Sequence, residues 1–283
     1  MQFGAVMFFT EYAMGAQELA RILEERGFES IWAAEHSHIP ASRKTPYPGG
    51  GDLPKPYYDG MDPFVALTAA ACATTRLKIG TGVCLVQQRD VIQTAKLVAS
   101  IDQISQGRFL FGIGGGWNQD EMENHGTVYK TRFKRVRESV EAMKEIWTKD
   151  KAEYHGDMIR FGPIFAWPKP VQKPHPPVHV GGAFPHGARR AIRYGDGWMP
   201  VSLFGDDSGT LPEFRRMARE AGRDPDSIEI TLMGPTDDVE QLKRLAGAGV
   251  HRAVAMLPSA DRDRTMRTLD RWTRIMQQVN AGT

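Results

Sequence analysis

Short apolar runs alternate with amphipathic helical stretches along the whole of this 283-residue chain, and few architectures bury such an alternation. Residues 2–8, 30–34, 77–83 and 109–111 read as the first four strands, and 178–180, 197–200, 228–232 and 251–256 as four more. Each is short and apolar, as expected of strands buried on both faces of a parallel sheet. Helical faces separate them. Ala16, Leu19, Ile22 and Leu23 mark one, Val91, Ala95, Val98 and Ile101 another, and Phe133, Val136, Val140, Met143 and Trp147 a third. Met266, Leu269, Trp272, Met276 and Val279 line the last. Asp62 followed by Pro63 is an N-cap with proline at the first helical position. The spacing predicts eight strand–helix units, an α/β fold of the (β/α)8 TIM-barrel type in a single domain over residues 1–283. An open doubly wound sheet is the runner-up. Two interruptions stand out: a Pro- and Gly-rich loop over 36–60 after strand two, and a small hairpin turning at Gly156-Asp157 before strand five.

Charge excludes several function classes. The 36 basic and 34 acidic residues leave a net charge of +2, with no block of one sign. Nucleic acid is not an expected partner. No apolar run is long enough to span a membrane, and residues 1–15, without a basic region or a cleavage site, do not read as a secretory leader. Cys72 and Cys84 are too few for a disulfide framework and suit a reducing compartment, so a cytoplasmic setting is expected.

The chemistry collects at strand ends, where parallel α/β proteins bind ligands. Glu35, His36, Ser37 and His38 follow strand two, and Gly80-Thr81-Gly82-Val83-Cys84 closes strand three. Strand four breaks into Gly112, Gly114, Gly115, Gly116 and Trp117. Strand five runs into Gly181, Gly182, Ala183, Phe184 and Pro185, just ahead of a helix. Glycines there let a ligand approach the backbone and expose N–H groups to an anion. Two such strand ends imply a long ligand, with a ring at one and a phosphate at the other. The dinucleotide fingerprint is not matched, because Trp117 stands where its third glycine belongs.

The segments FESIWAAEH (28–36), RLKIGTGVCLV (76–86), VIQTAKLVASIDQISQGRF (91–109), GIGGGWNQDE (112–121) and VHVGGAFPHGARRAIRYGDGW (178–198), in this order, resemble the luciferase-like flavin and deazaflavin oxidoreductases. The likeness runs over nearly the whole chain and is greatest to the branch that uses coenzyme F420. It implies a (β/α)8 barrel with the deazaflavin ring at the carboxyl end of the strands. It also implies a non-prolyl cis peptide at Gly82–Val83 behind the ring, and cofactor contacts from Gly114, Gly115, Gly116 and Trp117. The phosphate end falls at Gly181, Gly182, Ala183 and Phe184, with Arg189 or Arg190 nearby. Glu35 and His36 match the family's acid–histidine pair near the reactive side of the ring, which makes them the candidate catalytic residues. The family's sugar-phosphate dehydrogenases carry a proton-donating Glu where this chain has Trp117, so neither that substrate nor that donor is carried over. Asp120 and Glu121 follow a turn later.

The expected activity is hydride transfer between F420 and an unidentified small-molecule substrate, by a chain that forms a homodimer as many of that family do. A reduced-FMN-dependent monooxygenase on the same fold is the alternative. A metal-dependent barrel hydrolase built on His36, His38, His179, His186 and Asp261 is another, but the first histidine pair follows strand two rather than strand one; no metal is expected. A non-catalytic cofactor carrier is the remaining one. Cys84 reads as a small buried thiol rather than a nucleophile, Asp196 as a turn-former, and Tyr47, Tyr57 and Tyr58 as pocket or surface tyrosines.

Overall fold

The computed structural model describes residues 1–201 and 207–281. Eight parallel strands close into a barrel. They are β1 (Gln2–Met7), β2 (Ser30–Ala33), β3 (Lys78–Thr81), β4 (Phe109–Ile113), β7 (Val178–Gly181), β8 (Gly197–Met199), β9 (Glu229–Met233) and β10 (Arg252–Met256). Around the barrel they run β1-β10-β9-β8-β7-β4-β3-β2. The expected barrel is therefore the observed one. Between them run α1 (Ala16–Glu25), α3 (Pro63–Cys72), α4 (Val91–Ile104), α6 (Arg132–Thr148), α7 (His186–Tyr194), α8 (Leu211–Glu220) and α9 (Val239–Gly247), and α10 (Arg262–Asn280) follows β10. The antiparallel hairpin β5 (Lys151–His155) and β6 (Arg160–Phe165) lies between α6 and β7. Two short helices interrupt loops that carry no apolar period: α2 (Pro56–Asp59) and α5 (Gln119–Asn124).

Alternation along each strand divides the core in two. Outward residues such as Phe3, Ala5, Ile31, Ile79, Phe111, Val180 and Ala255 pack beneath the helices. Inward residues Val6, Trp32, Leu110, Met199, Met233 and Val254 form a separate cluster inside the barrel. Trp32 is the largest of these and wholly buried. It fits because its neighbours are small: a Cβ at Gly80 would lie 2.5 Å from the indole. Its indole N–H donates to Ser30 Oγ at 2.8 Å.

Below Trp32 the barrel floor is polar. The Arg252 guanidinium lies 5.8 Å from the indole. It donates in bidentate fashion to Glu29 (2.7 and 2.6 Å), and also to Glu229 (3.2 Å) and the Thr231 hydroxyl (2.8 Å). A buried guanidinium is tolerable only with its donors satisfied in this way. His179 is fully buried beside this group, 3.5 Å from Thr231 Oγ1.

Burial, reinforced by Arg252, pushes His179 from 6.5 down to about 4. The unfolded chain therefore takes up a proton near pH 6.5 that the native chain refuses until about pH 4. Burial works against ionised Glu29 too, but the hydrogen bonds and charge of Arg252, with Lys78, hold its carboxyl at about 2 against an ordinary 4.5. Both groups stabilise the fold above their unfolded values and lose that contribution as pH falls. Denaturant titrations are expected to show stability dropping between pH 6.5 and 4, and further below pH 4.5. His179→Gln should flatten the upper part of that slope and leave the lower part.

Candidate active site at the carboxyl end of the barrel

A cavity of about 580 Å³ opens at the carboxyl ends of the strands. Part of its wall is rich in glycine, and the rest is apolar side chain, Val6, Met199 and Met233 among them. The Gly82–Val83 peptide is cis, and Gly82, Val83, Gly114, Gly115, Gly116, Gly181, Gly182 and Ala183 all line the cavity. The loops after β3 and β4 meet closely: a Cβ at Gly114 would lie 2.5 Å from Val83 Cγ2. Gly182 has a φ of +133°, which a side chain would strain. Phe184 is not among the lining residues; it turns toward the core and lies 6.3 Å from the Trp198 ring.

At one end of this wall Arg190 lies over the Phe133 ring at 3.9 Å, and Arg132 over the same ring at 4.3 Å. Arg190 lines the cavity and its neighbour Arg189 does not, as adjacent residues on a helix diverge. Burial, with the nearby Arg132, lowers the Arg190 guanidinium from its ordinary value. No carboxylate pairs with Arg190 among the described residues. A guanidinium that lines the cavity beside Gly181, Gly182 and Ala183 is suited to hold an anion.

His36 sits at the other end. Its acid partner is Glu121, with Nδ1 2.7 Å from Oε2, and the glutamate is wholly buried. Glu121 also accepts from the Ser37 N–H at 3.3 Å. Glu35, although adjacent in sequence, faces elsewhere. It accepts from the Leu85 N–H (2.6 Å) and from Arg89 Nε (2.6 Å), and Arg89 continues to Asp62 (2.6 Å). Glu35 thus ties the end of β2 to the segment after β3. Burial alone would lower the Arg89 guanidinium, but Glu35 raises it. Cys84 lies in the same group, fully buried, its thiol pushed well up by burial and then by Glu35.

Three aromatic rings wall the histidine, and a fourth packs behind them. Tyr57 lies 5.1 Å from it, Trp117 5.7 Å and Phe8 6.3 Å. Tyr47 touches both Tyr57 (5.4 Å) and Trp117 (5.9 Å). Burial, then the Tyr47 hydroxyl 3.4 Å away, pushes the Tyr57 phenol well up. Tyr58 is half exposed and lies outside this group. The loop carrying Tyr47 is fastened by Asp120, which accepts from Ser42 Oγ (2.8 Å), Lys44 N (3.0 Å) and Thr45 Oγ1 (2.8 Å). The Ser42 hydrogen bond leads the causes that lower the Asp120 carboxyl.

Several sequence candidates are dispersed rather than gathered. His38 bonds Asn124 and Ser37 in the loop, His179 lies in the floor, His186 opens α7, and Asp261 caps α10 through the Arg264 N–H. Among the described residues no cluster of His, Cys, Asp or Glu has the makings of a metal site. Asp196 accepts from the Val178 N–H at 2.9 Å, as a turn residue does. Glu121 is the residue that sequence reasoning passed over. It closes an Asn-x-x-Glu helix start, a pattern that ordinarily points a glutamate back at its own cap.

A family profile described as luciferase-like monooxygenase matches residues 1–279. This chain belongs to that family. An uncharacterised protein of Mycobacterium tuberculosis is 36% identical over 269 residues, 93% of this chain and 94% of that protein. The F420-dependent hydroxymycolic acid dehydrogenase of the same organism is 26% identical over 216 residues, 74% of this chain and 55% of that longer protein. A monooxygenase from Streptomyces bottropensis superposes with a TM-score of 0.79 at 22% identity, over 98% of each chain, a likeness of fold.

The Asp120 fastening has a direct test. Asp120→Ala should leave the barrel folded by circular dichroism yet speed amide exchange in residues 41–47 by ~tenfold or more. Unchanged exchange would show that the carboxylate does not hold the loop.

Proposed function

We propose that this chain is an oxidoreductase moving a hydride between coenzyme F420 and a small organic substrate. What carries the proposal is the juxtaposition in one cavity of a glycine-rich wall, an arginine without a carboxylate partner among the described residues and an aromatic-walled histidine whose Nδ1 is engaged by a buried glutamate. The F420-dependent relative supports this choice of cofactor. When bound, the deazaflavin supplies a ring carbon that takes up or releases hydride.

The chain's residues would do the rest. The Gly82–Val83 peptide and Gly114–Gly116 admit a flat ring against the backbone. Gly181–Ala183 and Arg190 hold the phosphate. Phe8, Tyr57 and Trp117 keep water away from the reacting atoms. Glu121 fixes Nδ1, so Nε2 is the atom of His36 left to exchange a proton with substrate oxygen. It takes a hydroxyl proton when the substrate is oxidised and returns one when a carbonyl is reduced.

Titration of the purified protein with F420 and with FMN tests the cofactor. F420 is expected to bind at least ~tenfold more tightly, a difference of about 1.4 kcal/mol. Preference for FMN would move the chain to oxygen-activating monooxygenase chemistry, and binding of neither would sink the assignment of the glycine wall. With a working substrate, His36→Gln should lower kcat by about 10²–10⁴ while cofactor affinity holds. Glu121→Gln should cost less, about tenfold, by loosening the ring that His36 presents.

A further inference from the structure

The loop after β2 and the short helix α5 meet at two places. At the site, His36 Nδ1 donates to Glu121 Oε2 at 2.7 Å. The other meeting is among side chains that do not line the cavity. There Ser37 Oγ stands 2.8 Å from His125 Nε2 and 3.0 Å from His38 Nδ1, and Asn124 Nδ2 lies 2.9 Å from His38 Nε2. The two imidazole rings are 5.3 Å apart. Asn124 is the last residue of α5 and His125 caps its carboxyl end. Ser37 belongs to both meetings, because its main-chain N–H donates to Glu121 Oε1 at 3.3 Å. Ser37, Asn124 and His125 are exposed, so no buried polar group requires these bonds to be made.

The chemistry of the partners sets the direction of every bond. An amide nitrogen only donates, so His38 Nε2 accepts from Asn124 and carries no proton. In the neutral ring the proton then sits on Nδ1, which donates to Ser37 Oγ. The one hydroxyl proton of Ser37 is left to donate to His125 Nε2. Donation thus runs from Asn124 through His38 and Ser37 to His125, with both imidazoles neutral. A further proton on His38 Nε2 would face the Asn124 amide, whereas one on His125 Nε2 requires only that a hydroxyl turn. That proton reverses the last link: Nε2 donates, Ser37 Oγ accepts from both rings, and the hydroxyl proton is released. Glu121 is the carboxylate that Ser37 already contacts. The other groups that bear on His125 are His38 from the loop after β2, Glu35 at the end of β2 and Arg89 after β3. Burial, and then the charge of His38, lowers the His125 imidazole from an ordinary 6.5, so its proton is taken up below that value.

We propose that Ser37 and His125 are positioning residues for His36, and that a proton on His125 weakens His36 as a base by way of Ser37 and Glu121. The proposal rests on the acid–base role given to His36 above. A charged His125 places a cation near Glu121 and turns the Ser37 hydroxyl toward its carboxylate. Both draw negative charge away from the group that accepts the Nδ1 proton of His36. A carboxylate that pulls less on Nδ1 leaves Nε2 less ready to take a substrate proton. Alcohol oxidation, which needs His36 as a base, therefore loses rate when His125 is charged, although His125 never touches substrate or cofactor.

In the full-length protein with isotope-labelled histidine, NMR follows the His36 Nδ1 proton and the His125 ring between about pH 5 and 8. The His36 signal should move in two steps. One belongs to its own ring. The other shares its midpoint with His125 and goes to higher field as that ring gains its proton, because Glu121 then pulls less. His125→Gln should abolish the shared step. Ser37→Ala should cut it to about half or less, and Ser37→Thr, which keeps a hydroxyl, should restore it. His155→Gln, on the exposed hairpin, should leave both steps in place. A cluster that only holds the loop gives no shared midpoint, so a native protein with a single step would overturn the proposal. So would a shared step that keeps its full size without His125 or without the Ser37 hydroxyl. F420 is titrated into the same samples. Two steps without F420 binding would leave the histidine linkage standing and sink the cofactor assignment. F420 binding with a single step would do the reverse.

Discussion

The packing of Trp32 inside the barrel sets the height at which everything else stands. Its indole fills the space that Gly4 and Gly80 leave open and rests above the Arg252 guanidinium. Strand β2 therefore has fixed depth and register: Ser30 below it accepts the indole N–H, and Ile31 and Ala33 face the helices. Only three residues beyond that plug, Glu35 and His36 leave the strand in opposite directions. Glu35 anchors sideways to Leu85 and Arg89, and His36 leans over the cavity. A strand that slipped by one residue would exchange their faces and bring the indole out of the barrel. The same packing that seals the floor thus aims the histidine.

The barrel divides its labour between its two ends. The floor pairs the Arg252 guanidinium with Glu29 and Glu229 through hydrogen bonds of 2.6–3.2 Å, suited to holding strands together. The mouth is the reverse. Its wall is rich in glycine, Arg190 at one end has no carboxylate partner among the described residues, and His36 keeps one ring nitrogen without a hydrogen bond among them. Groups left incompletely satisfied at a strand end are costly unless a ligand completes them. The arrangement is intelligible as a binding surface and would be wasteful as a packing solution.

Much of this was legible in the sequence, and the failures have physical causes. The eight strands could be read because β strands buried on both faces leave apolar runs, and glycine clusters marked their ends. The cis peptide position and nine of the ten expected cofactor contacts fall on the cavity wall. Phe184 does not, because the proline after it and the bulk of its ring favour packing on Trp198. The pairing of Glu35 with His36 came from the family resemblance, yet consecutive residues leaving a strand face opposite ways, and Glu121 is the acid at His36. Glu121 is distant in sequence, and only closure of the barrel brings α5 over the end of β2. Tyr57 was ambiguous because nothing local shows which face of a loop turns inward.

The short helix α5 deserves its place in the mechanism more than its length suggests. Its capping residue follows Trp117, a wall of the cavity. Asp120 reaches outward to fasten the loop that carries Tyr47, and Glu121 reaches inward to His36. Two adjacent carboxylates on one turn therefore hold the loop of Tyr47 and the ring of His36 at once, so a change in that turn reaches both.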